Sequence, residues 1–358
     1  MQRYIGLDAH AASCTLAIIS ETGKRLRDFP VETNGAALVE AIRAVPGPRH
    51  LIFEEGTHSA WLYETLERHV DEIVVTGVSN SRGPKCDARD AYALAEKLRT
   101  HAVDKLVFKA PKEFAVLREL ARVHSMFVRD VVRVQARLKS IYRSRAISTA
   151  GAAVYGPRQR QEWESRLPPA ARHATSKLYA HYDLLLELKK QAESELIAES
   201  KRHPIARILQ TAPGLGPIRV ARLLPVVVTP HRFRTKRQFW SYCGLGIVMR
   251  SSSDWVRGSN GEWQWAQVAK TRGLSKQHNH TLKETFKGAA TSVVQQGEKV
   301  PIYADYQRLV ESGTKPNLAK LTLARKIAAI VLRMWKDEEV YRPDRVSNKT
   351  TQAARSTT

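Results

Sequence analysis

Four carboxylates in the first quarter of the chain combine a residue type and a spacing that suit a metal site. Asp8 follows the apolar run of RYIGL, and Glu54 follows that of LIF; both runs are typical of buried strands. Asp87 and Asp90 stand three residues apart in KCDARDAYALA, a spacing that puts both on one face of a helical turn. Carboxylate oxygens are the ligands that Mg²⁺ prefers, and two metal ions roughly 3.5–4 Å apart commonly serve phosphodiester cleavage. The pattern predicts a magnesium-dependent nuclease core.

Each acidic signal also has an ordinary explanation. Acidic residues at strand ends and helix starts often cap helices or form turns. One such signal alone would favour that explanation. The occurrence of all three in order favours the metal site.

The elements expected to position these carboxylates form an α/β domain over residues 1–108. A meander of three strands followed by alternating helices and strands is the order of a ribonuclease-H-like, or RuvC-like, fold. This is an analogy of fold, so it bears on function only through the carboxylates. The predicted elements are strands at Arg3–Leu7, Cys14–Ser20 and Lys24–Val31, a helix at Asn34–Val45, a strand at Leu51–Glu54, a helix at His58–Val70 and a strand at Glu72–Val75.

Residues 109–203 are predicted to form long coiled-coil helices. Apolar residues and His124 recur at alternating steps of three and four from Leu117 to Ile141, which is typical of a coiled coil or a long antiparallel hairpin. A second helix is predicted over 174–199. These helices can pack on each other or on a second copy of the chain, and the sequence leaves both arrangements open. The arginines that lie off this seam either form a solvated face or contact phosphates, and the charge of the chain favours phosphate contact. They include Arg129, Arg133 and Arg137.

Residues 204–340 are predicted as a mainly α-helical domain. Gly214 and Gly216 in TAPGLGPIRV lie between two helical patterns, the form of a helix-hairpin-helix whose turn lets backbone N–H groups approach a phosphate. A loop rich in Trp, Gly and Ser is expected over 255–265. Beyond it, three basic residues are expected to contact backbone phosphates: Lys270, Arg272 and Lys276. Residues 341–358 are polar and predicted to be disordered.

The charge of the chain points to a nucleic-acid partner. It carries 58 Lys and Arg against 35 Asp and Glu, a formal charge of +23, and its pI is about 10.1. Such an excess favours a polyanion. A membrane span is not expected, because no apolar stretch approaches about 20 residues. The three cysteines are scattered and the first residues have no signal-peptide pattern, so a reduced, cytoplasmic protein is expected.

The serine run at 251–253 has no visible activating base nearby in the sequence. Spacing and composition alone therefore favour an ordinary serine-rich loop.

Several motifs together resemble one family over nearly the whole chain. They are GLDAH, FEEGTHSAWLY, KCDARDAYALA, PGLGP, FWSYCGLG, RSSS and GLSKQHNHTLKETFKGAA. They resemble the DEDD-type bacterial insertion-sequence transposases of the one-ten family, which are related to Piv-type DNA invertases; the second half is most similar to the eleven-eleven subgroup.

The resemblance implies a RuvC-like domain, a coiled-coil insertion and a C-terminal transposase domain. Asp8, Glu54, Asp87 and Asp90 fall on the family's metal-binding tetrad. The family's serine nucleophile falls best on Ser252, with Ser251 and Ser253 as alternative registers, because Ser253 and Ile247 stand where the family often has Gly and Pro.

The resemblance also implies partners. Family members act on donor and target DNA under the guidance of a structured non-coding RNA, called bridge RNA. The distance between the tetrad and the serine along the chain suggests active sites shared between protomers, so a homo-oligomer, dimer or tetramer, is expected. The expected location is the bacterial cytoplasm, in association with the nucleoid.

Two other functions fit parts of the same pattern. One is a metal-only RuvC-like nuclease or Holliday-junction resolvase in which the serine is inert. The other is a non-enzymatic nucleic-acid-binding scaffold that uses the helix-hairpin-helix and the coiled coil.

Overall fold

The structure, a computed structural model, describes residues 1–78, 86–103, 106–107, 114–250, 255–265 and 270–343. The chain divides into two compact units, residues 1–112 and 113–358. The predicted helical region 109–203 and C-terminal region 204–340 thus lie mostly within one unit, and their separation into two domains stays a prediction. The predicted disordered tail lies outside the described residues from position 344 onward.

The first unit is built on a five-stranded mixed sheet with the strand order β3-β2-β1-β4-β5. The first three strands form an antiparallel meander, and β4 and β5 run parallel to β1. The predicted α/β character of this region is confirmed. The strands are β1 (Arg3–Ala9), β2 (Ser13–Ser20), β3 (Arg25–Glu32), β4 (Arg49–Glu54) and β5 (Glu72–Thr76), and the helices are α1 (Gly35–Arg43), α2 (Ser59–Leu66) and α3 (Asp87–Arg99).

Helix α1 starts one residue later than predicted because Asn34 caps it. The Asn34 side chain accepts a hydrogen bond from the Ala37 N–H at 2.8 Å, which satisfies one N–H of the first turn that has no partner within the helix. Helix α2 ends at Leu66, and the chain passes into a short 3-10 helix before β5.

The sheet has a core on each face, as the alternation of side chains along a strand requires. Ile5 and Leu7 of β1 belong to the core that includes residues of α1 and α2. Tyr4, on the other parity, packs in the core that contains the apolar residues of α3. Even-numbered positions of β1 therefore face α3.

The second unit contains a pair of long antiparallel helices, α4 (Ala115–Arg143) and α6 (Pro169–Ser200). Gln135 donates to the Tyr182 hydroxyl at 3.1 Å, and the Tyr142 and Tyr179 hydroxyls lie 3.1 Å apart. The residue numbers of the contacting side chains therefore increase along one helix and decrease along the other. The two helices thus pack on each other. Part of the predicted seam is buried in the interior of the unit. Its buried residues are Leu117, His124, Val131, Val134 and Leu138.

Helix α6 begins earlier than predicted. Its first residue is Pro169, whereas the helix was predicted to start at residue 174. A proline fits there because the N–H it lacks would have no partner within the helix in any case.

Among its described residues, the rest of the second unit contains further helices and four short strands. The prediction of a loop at 255–265 is wrong, because β7 and β8 pair antiparallel within this segment. Its alternating Trp and Val suit a strand, and Gly258 and Gly261 permit the turn. The elements are α5 (Arg160–Ser165), α7 (Pro204–Leu209), α8 (Pro217–Val227), α9 (Lys236–Tyr242), β6 (Ile247–Arg250), β7 (Trp255–Arg257), β8 (Trp263–Trp265), β9 (Lys270–Leu274), α10 (His280–Gln296), α11 (Tyr303–Glu311) and α12 (Pro316–Asp337).

Within the described ranges, every helix is too short or too polar to pass through a lipid bilayer.

Candidate metal centre and nucleic-acid contacts

Strand register brings Asp8 and Glu54 to the same edge of the sheet. Strands β1 and β4 are parallel neighbours, and Leu7 pairs with Phe53, one residue before each carboxylate. Both carboxylates lie on the face of the sheet that is covered by α3. Asp8 is at an even-numbered position of β1, and Ile52, two residues before Glu54, lies in the core on the α3 side. Both side chains are half-buried. The sheet alone thus places two of the four predicted carboxylates side by side.

A glycine in β1 allows α3 to approach the sheet closely. A Cβ atom built on Gly6 would lie 1.8 Å from the Ala91 carbonyl oxygen and 2.8 Å from the Ala95 nitrogen. No side chain fits at that distance, so glycine is required where the helix crosses the strand. Asp8 lies two residues beyond Gly6 on the same strand face, and Asp87 lies one helical turn before Ala91. The close approach therefore brings the first turn of α3 to Asp8.

The result is a compact cluster of Asp8, His10 and Asp87. One ligand atom from each lies within 4.8 Å of the others. The His10 Nε2 is 3.3 Å from the Asp8 Oδ2 and 3.6 Å from the Asp87 Oδ1. His10 and Asp87 are exposed and Asp8 is half-buried, so the cluster is open to solvent on one side.

The electrostatics of the cluster suit a cation. Burial raises the pKa of the Asp8 carboxyl, His10 opposes that rise, and the negative charges of Asp87 and Asp90 add to it. Carboxylates crowded in this way repel one another until a positive charge is placed between them. Two carboxylates and an imidazole form a donor set that fits a divalent metal ion.

Two predicted ligands lie outside this three-residue group. Glu54 is beside Asp8 by strand register but is not among the three clustered residues. Asp90 is half-buried in the first turn of α3, and its charge acts on Asp8 at longer range. The structure therefore brings Asp8 and Asp87 together directly, and places Glu54 and Asp90 on the elements next to them.

His10 is a cluster member that the sequence analysis missed. It stands two residues after Asp8 in GLDAH, a spacing that returns a side chain to the same side of an extended backbone. That spacing was visible in the sequence.

Several other predicted site residues have no described side chain. Ser252, with Ser251 and Ser253, lies outside the described residues, which resume at Trp255. The backbone of Lys270 and Arg272 lies in β9, but their side chains are outside the description. Lys276 is exposed just after β9, where a phosphate can reach it. The role of each in nucleic-acid binding stays a prediction.

The predicted Gly-rich turn between α7 and α8 has a packing role at its first glycine. Gly214 has a φ of +71°, and a Cβ there would lie 2.3 Å from the carbonyl oxygen of Ala289 in α10. Its own carbonyl accepts a 2.9 Å hydrogen bond from Arg219 Nη1. Gly216, by contrast, has no atom within 4 Å of a built Cβ and caps α8. Phosphate binding by this turn stays a prediction, and Gly216 is the more accessible of its two glycines.

Helix α4 carries the predicted basic stripe on its outer side. Arg129, Arg133 and Arg137 are four residues apart and exposed, so they form one row along the helix. Arg133 also pairs with Asp130 at 2.5 Å, which offsets part of its charge. The row has the charge and access that phosphate binding needs.

A basic and aromatic pocket near α9 was not predicted. The Arg232 guanidinium lies 4.8 Å from the Phe233 ring centroid and 4.6 Å from that of Tyr242. The pocket has a volume of about 560 Å³ and is also lined by Arg234 and Gln277. No sequence periodicity marks it, because its residues come from a 3-10 turn, a helix and the segment before α10.

Two family models match the chain over different regions. Residues 5–144 match the model of the DEDD transposases of the IS110 family, described as "Transposase". Residues 206–304 match the model described as "Transposase IS116/IS110/IS902 family". No curated protein matches the chain. The first match contains the cluster of Asp8, His10 and Asp87, and the second contains the glycine turn, β6 and α10. Models of IS110-family transposases thus match both compact units of the chain, which supports an IS110-family transposase function.

Proposed function

We propose that this transposase cuts and rejoins DNA with a magnesium centre held by Asp8, Glu54, Asp87 and Asp90 and with Ser252 as the nucleophile. The observation that carries the proposal is the convergence of Asp8 and Asp87, which come from separate elements of the first unit. The sheet order β3-β2-β1-β4-β5 supports a RuvC-like classification of that unit. The resemblance of the motifs to the family's tetrad supports Glu54 and Asp90 as further ligands.

Mg²⁺ held there would supply a Lewis acid that neutralises charge on the scissile phosphate and on the leaving oxygen. The protein's own contribution is to keep the carboxylates close before DNA binds. The Gly6–Ala91 contact fixes the distance between helix and strand, and the β1–β4 register fixes Glu54 beside Asp8.

The covalent step we propose takes place at Ser252. Its Oγ forms a bond to phosphorus and gives up its proton, while the bond from phosphorus to the 3′ oxygen breaks. That oxygen leaves and takes up a proton, which yields a phosphoserine linkage and a free 3′-hydroxyl. The linkage keeps the free energy of the phosphodiester, so a second strand's 3′-hydroxyl can reverse the step without ATP.

Guidance by a structured RNA completes the proposal. A protein that leaves sequence recognition to base pairing needs basic surfaces that bind backbones. The charge of +23 and the arginine row on α4 support this. A dimer or tetramer is proposed because the tetrad and Ser252 belong to different compact units, which lets two protomers share one active site.

A covalent adduct assay tests the proposal. The purified protein, RNA transcribed from the flanks of its gene, nicked DNA and Mg²⁺ are incubated and resolved on a denaturing gel. We expect a protein–DNA adduct that is lost in Ser252→Ala and in Asp87→Asn, while Ser251→Ala and Ser253→Ala retain it. Cleavage without an adduct would instead identify a metal-only nuclease, and binding with neither product would identify a scaffold. An adduct that forms equally well without RNA would contradict guidance.

A further inference from the structure

The hairpin formed by β7 and β8 concentrates tryptophan on one face. Trp255 pairs with Trp265, and Arg257 pairs with Trp263. Partners across an antiparallel ladder lie on the same face, and so do residues two apart on one strand. Trp255, Arg257 and Trp263 therefore share a face, and Gln264 occupies the other one. Three of the chain's seven tryptophans stand within these eleven residues.

Both of these tryptophans, Trp255 and Trp263, are exposed to solvent. Trp263 is 64% exposed and Trp255 is 51% exposed. Burying a side chain of this size is among the largest apolar gains available to a fold, and a two-stranded hairpin alone is marginally stable. A lone exposed aromatic residue needs no explanation, but a shared face of exposed tryptophans points to a binding surface.

The turn of the hairpin is internally organised, which holds the face in shape. The Gly258 N–H donates to the Glu262 carbonyl at 2.8 Å, and the Arg257 Nε donates to the Gly261 carbonyl at 3.2 Å. Within the described ranges the terminal nitrogens of Arg257 make no hydrogen bond, so they can meet a phosphate or stack on a base. Arg257 is the charged residue among these face positions, and its charge is positive.

We infer that this hairpin face binds unpaired bases of single-stranded DNA. Indole rings stack on any base, and an arginine beside them adds a cation for the backbone, which is the combination that binds single strands without sequence preference. The net charge of +23 suits a polyanion. A transposase exposes single strands when it cuts and rejoins DNA, so this inference rests on the function proposed above.

Tryptophan fluorescence and anisotropy test the inference with a labelled 15-nucleotide oligo(dT), the same length of duplex, and oligo(rU). We expect Trp263→Ala and Trp255→Ala each to weaken oligo(dT) binding by about five- to hundredfold. Duplex binding should change by less than about twofold, since it depends on phosphate contacts elsewhere. Trp263→Phe should retain most of the affinity, because it keeps an aromatic face.

Matched controls separate this surface from the rest of the proposal. Gln264→Ala, on the opposite face, should bind oligo(dT) as the native protein does. Binding is measured without Mg²⁺, so the test does not depend on cleavage. Unchanged oligo(dT) affinity in both tryptophan variants would overturn the inference. An equal loss of affinity for duplex would overturn the inference in favour of duplex binding, and a loss of affinity confined to oligo(rU) would overturn it in favour of RNA. A change of oligomeric state in Trp263→Ala would overturn it in favour of a second copy of the chain.

Discussion

Glycine performs the same structural task in the two units of this protein, with different consequences. At Gly6 a Cβ would lie 1.8 Å from a helix carbonyl oxygen, and at Gly214 it would lie 2.3 Å from one. The first contact sets the position of Asp87 relative to Asp8. The second joins the turn before α8 to α10 within the second unit. A glycine within a motif therefore indicates a close approach of backbones, and only the partner shows whether chemistry depends on it.

Histidine gives a second contrast between the same units. The His10 side chain is 54% exposed and lies beside two carboxylates. The His124 side chain is 4% exposed and lies 3.8 Å from Glu193. The first is accessible to a metal ion or substrate, whereas the second is part of a packed seam.

The largest effect is expected from Gly6→Ala. The added Cβ forces α3 away from β1, and a displacement of about 1 Å at reacting groups can cost about a hundredfold in rate. Overpacking should also lower the free energy of unfolding by about 1–3 kcal/mol. DNA cleavage and thermal unfolding would be measured together. Gly35→Ala is the control, because its Cβ would meet Thr65 at an ordinary 3.5 Å; cleavage by Gly6→Ala at the control's rate would refute the positioning role.

Gly214→Ala is expected to lower stability with no loss of metal binding. The positive φ and the contact with Ala289 together predict a loss of about 2–4 kcal/mol in the free energy of unfolding. Gly216→Ala should cost less than about 1 kcal/mol, since nothing lies near its Cβ. Chemical denaturation checks both values, and similar losses in the two variants would show that the Ala289 contact is not what requires Gly214.

The carboxylate cluster and its surroundings differ in how far the sequence predicts them. The strands around Asp8 and Glu54 were predictable because apolar runs and turns mark them locally. The approach of α3 was not, since it depends on Gly6 meeting Ala91, which are distant in sequence. The β7–β8 hairpin was also missed, because a composition rich in Trp, Gly and Ser suggests a loop until the pairing of Trp255 with Trp265 is known.

A smaller effect is expected from His10→Ala. Loss of a group next to metal-binding carboxylates typically lowers metal affinity by about 10- to 100-fold. Titration of the protein with Mn²⁺ would measure it. His58→Ala offers a control in the same unit, where the ring contacts Trp61. If the Mn²⁺ affinity of His10→Ala equals that of the native protein, His10 does not contribute to metal binding.

The smallest effect concerns pH and His124. Burial lowers the pKa of His124, Arg222 and Lys189 lower it further, and Glu193 opposes them. The folded protein therefore binds fewer protons than the unfolded chain, whose histidine titrates near about 6.5. Stability contributed by neutral His124 is complete above that pH and is lost as the pH falls through it.

His124→Leu should therefore flatten the fall in melting temperature between about pH 7 and 5. His181→Gln, on the exposed side of α6, is the control and should keep the native slope. A His124→Leu slope as steep as the native one would show that other groups govern the acid sensitivity.

The proposed metal centre is tested most directly by Mn²⁺ binding followed by electron paramagnetic resonance, since Mn²⁺ accepts the oxygen ligands of Mg²⁺. We expect the native protein to bind Mn²⁺, and we expect Asp8→Asn and Asp87→Asn each to weaken binding by more than about a hundredfold, beyond the effect of an outer group. Glu40→Gln, an exposed carboxylate on α1, should bind Mn²⁺ normally. Native affinity in both aspartate variants would contradict a metal centre at this cluster.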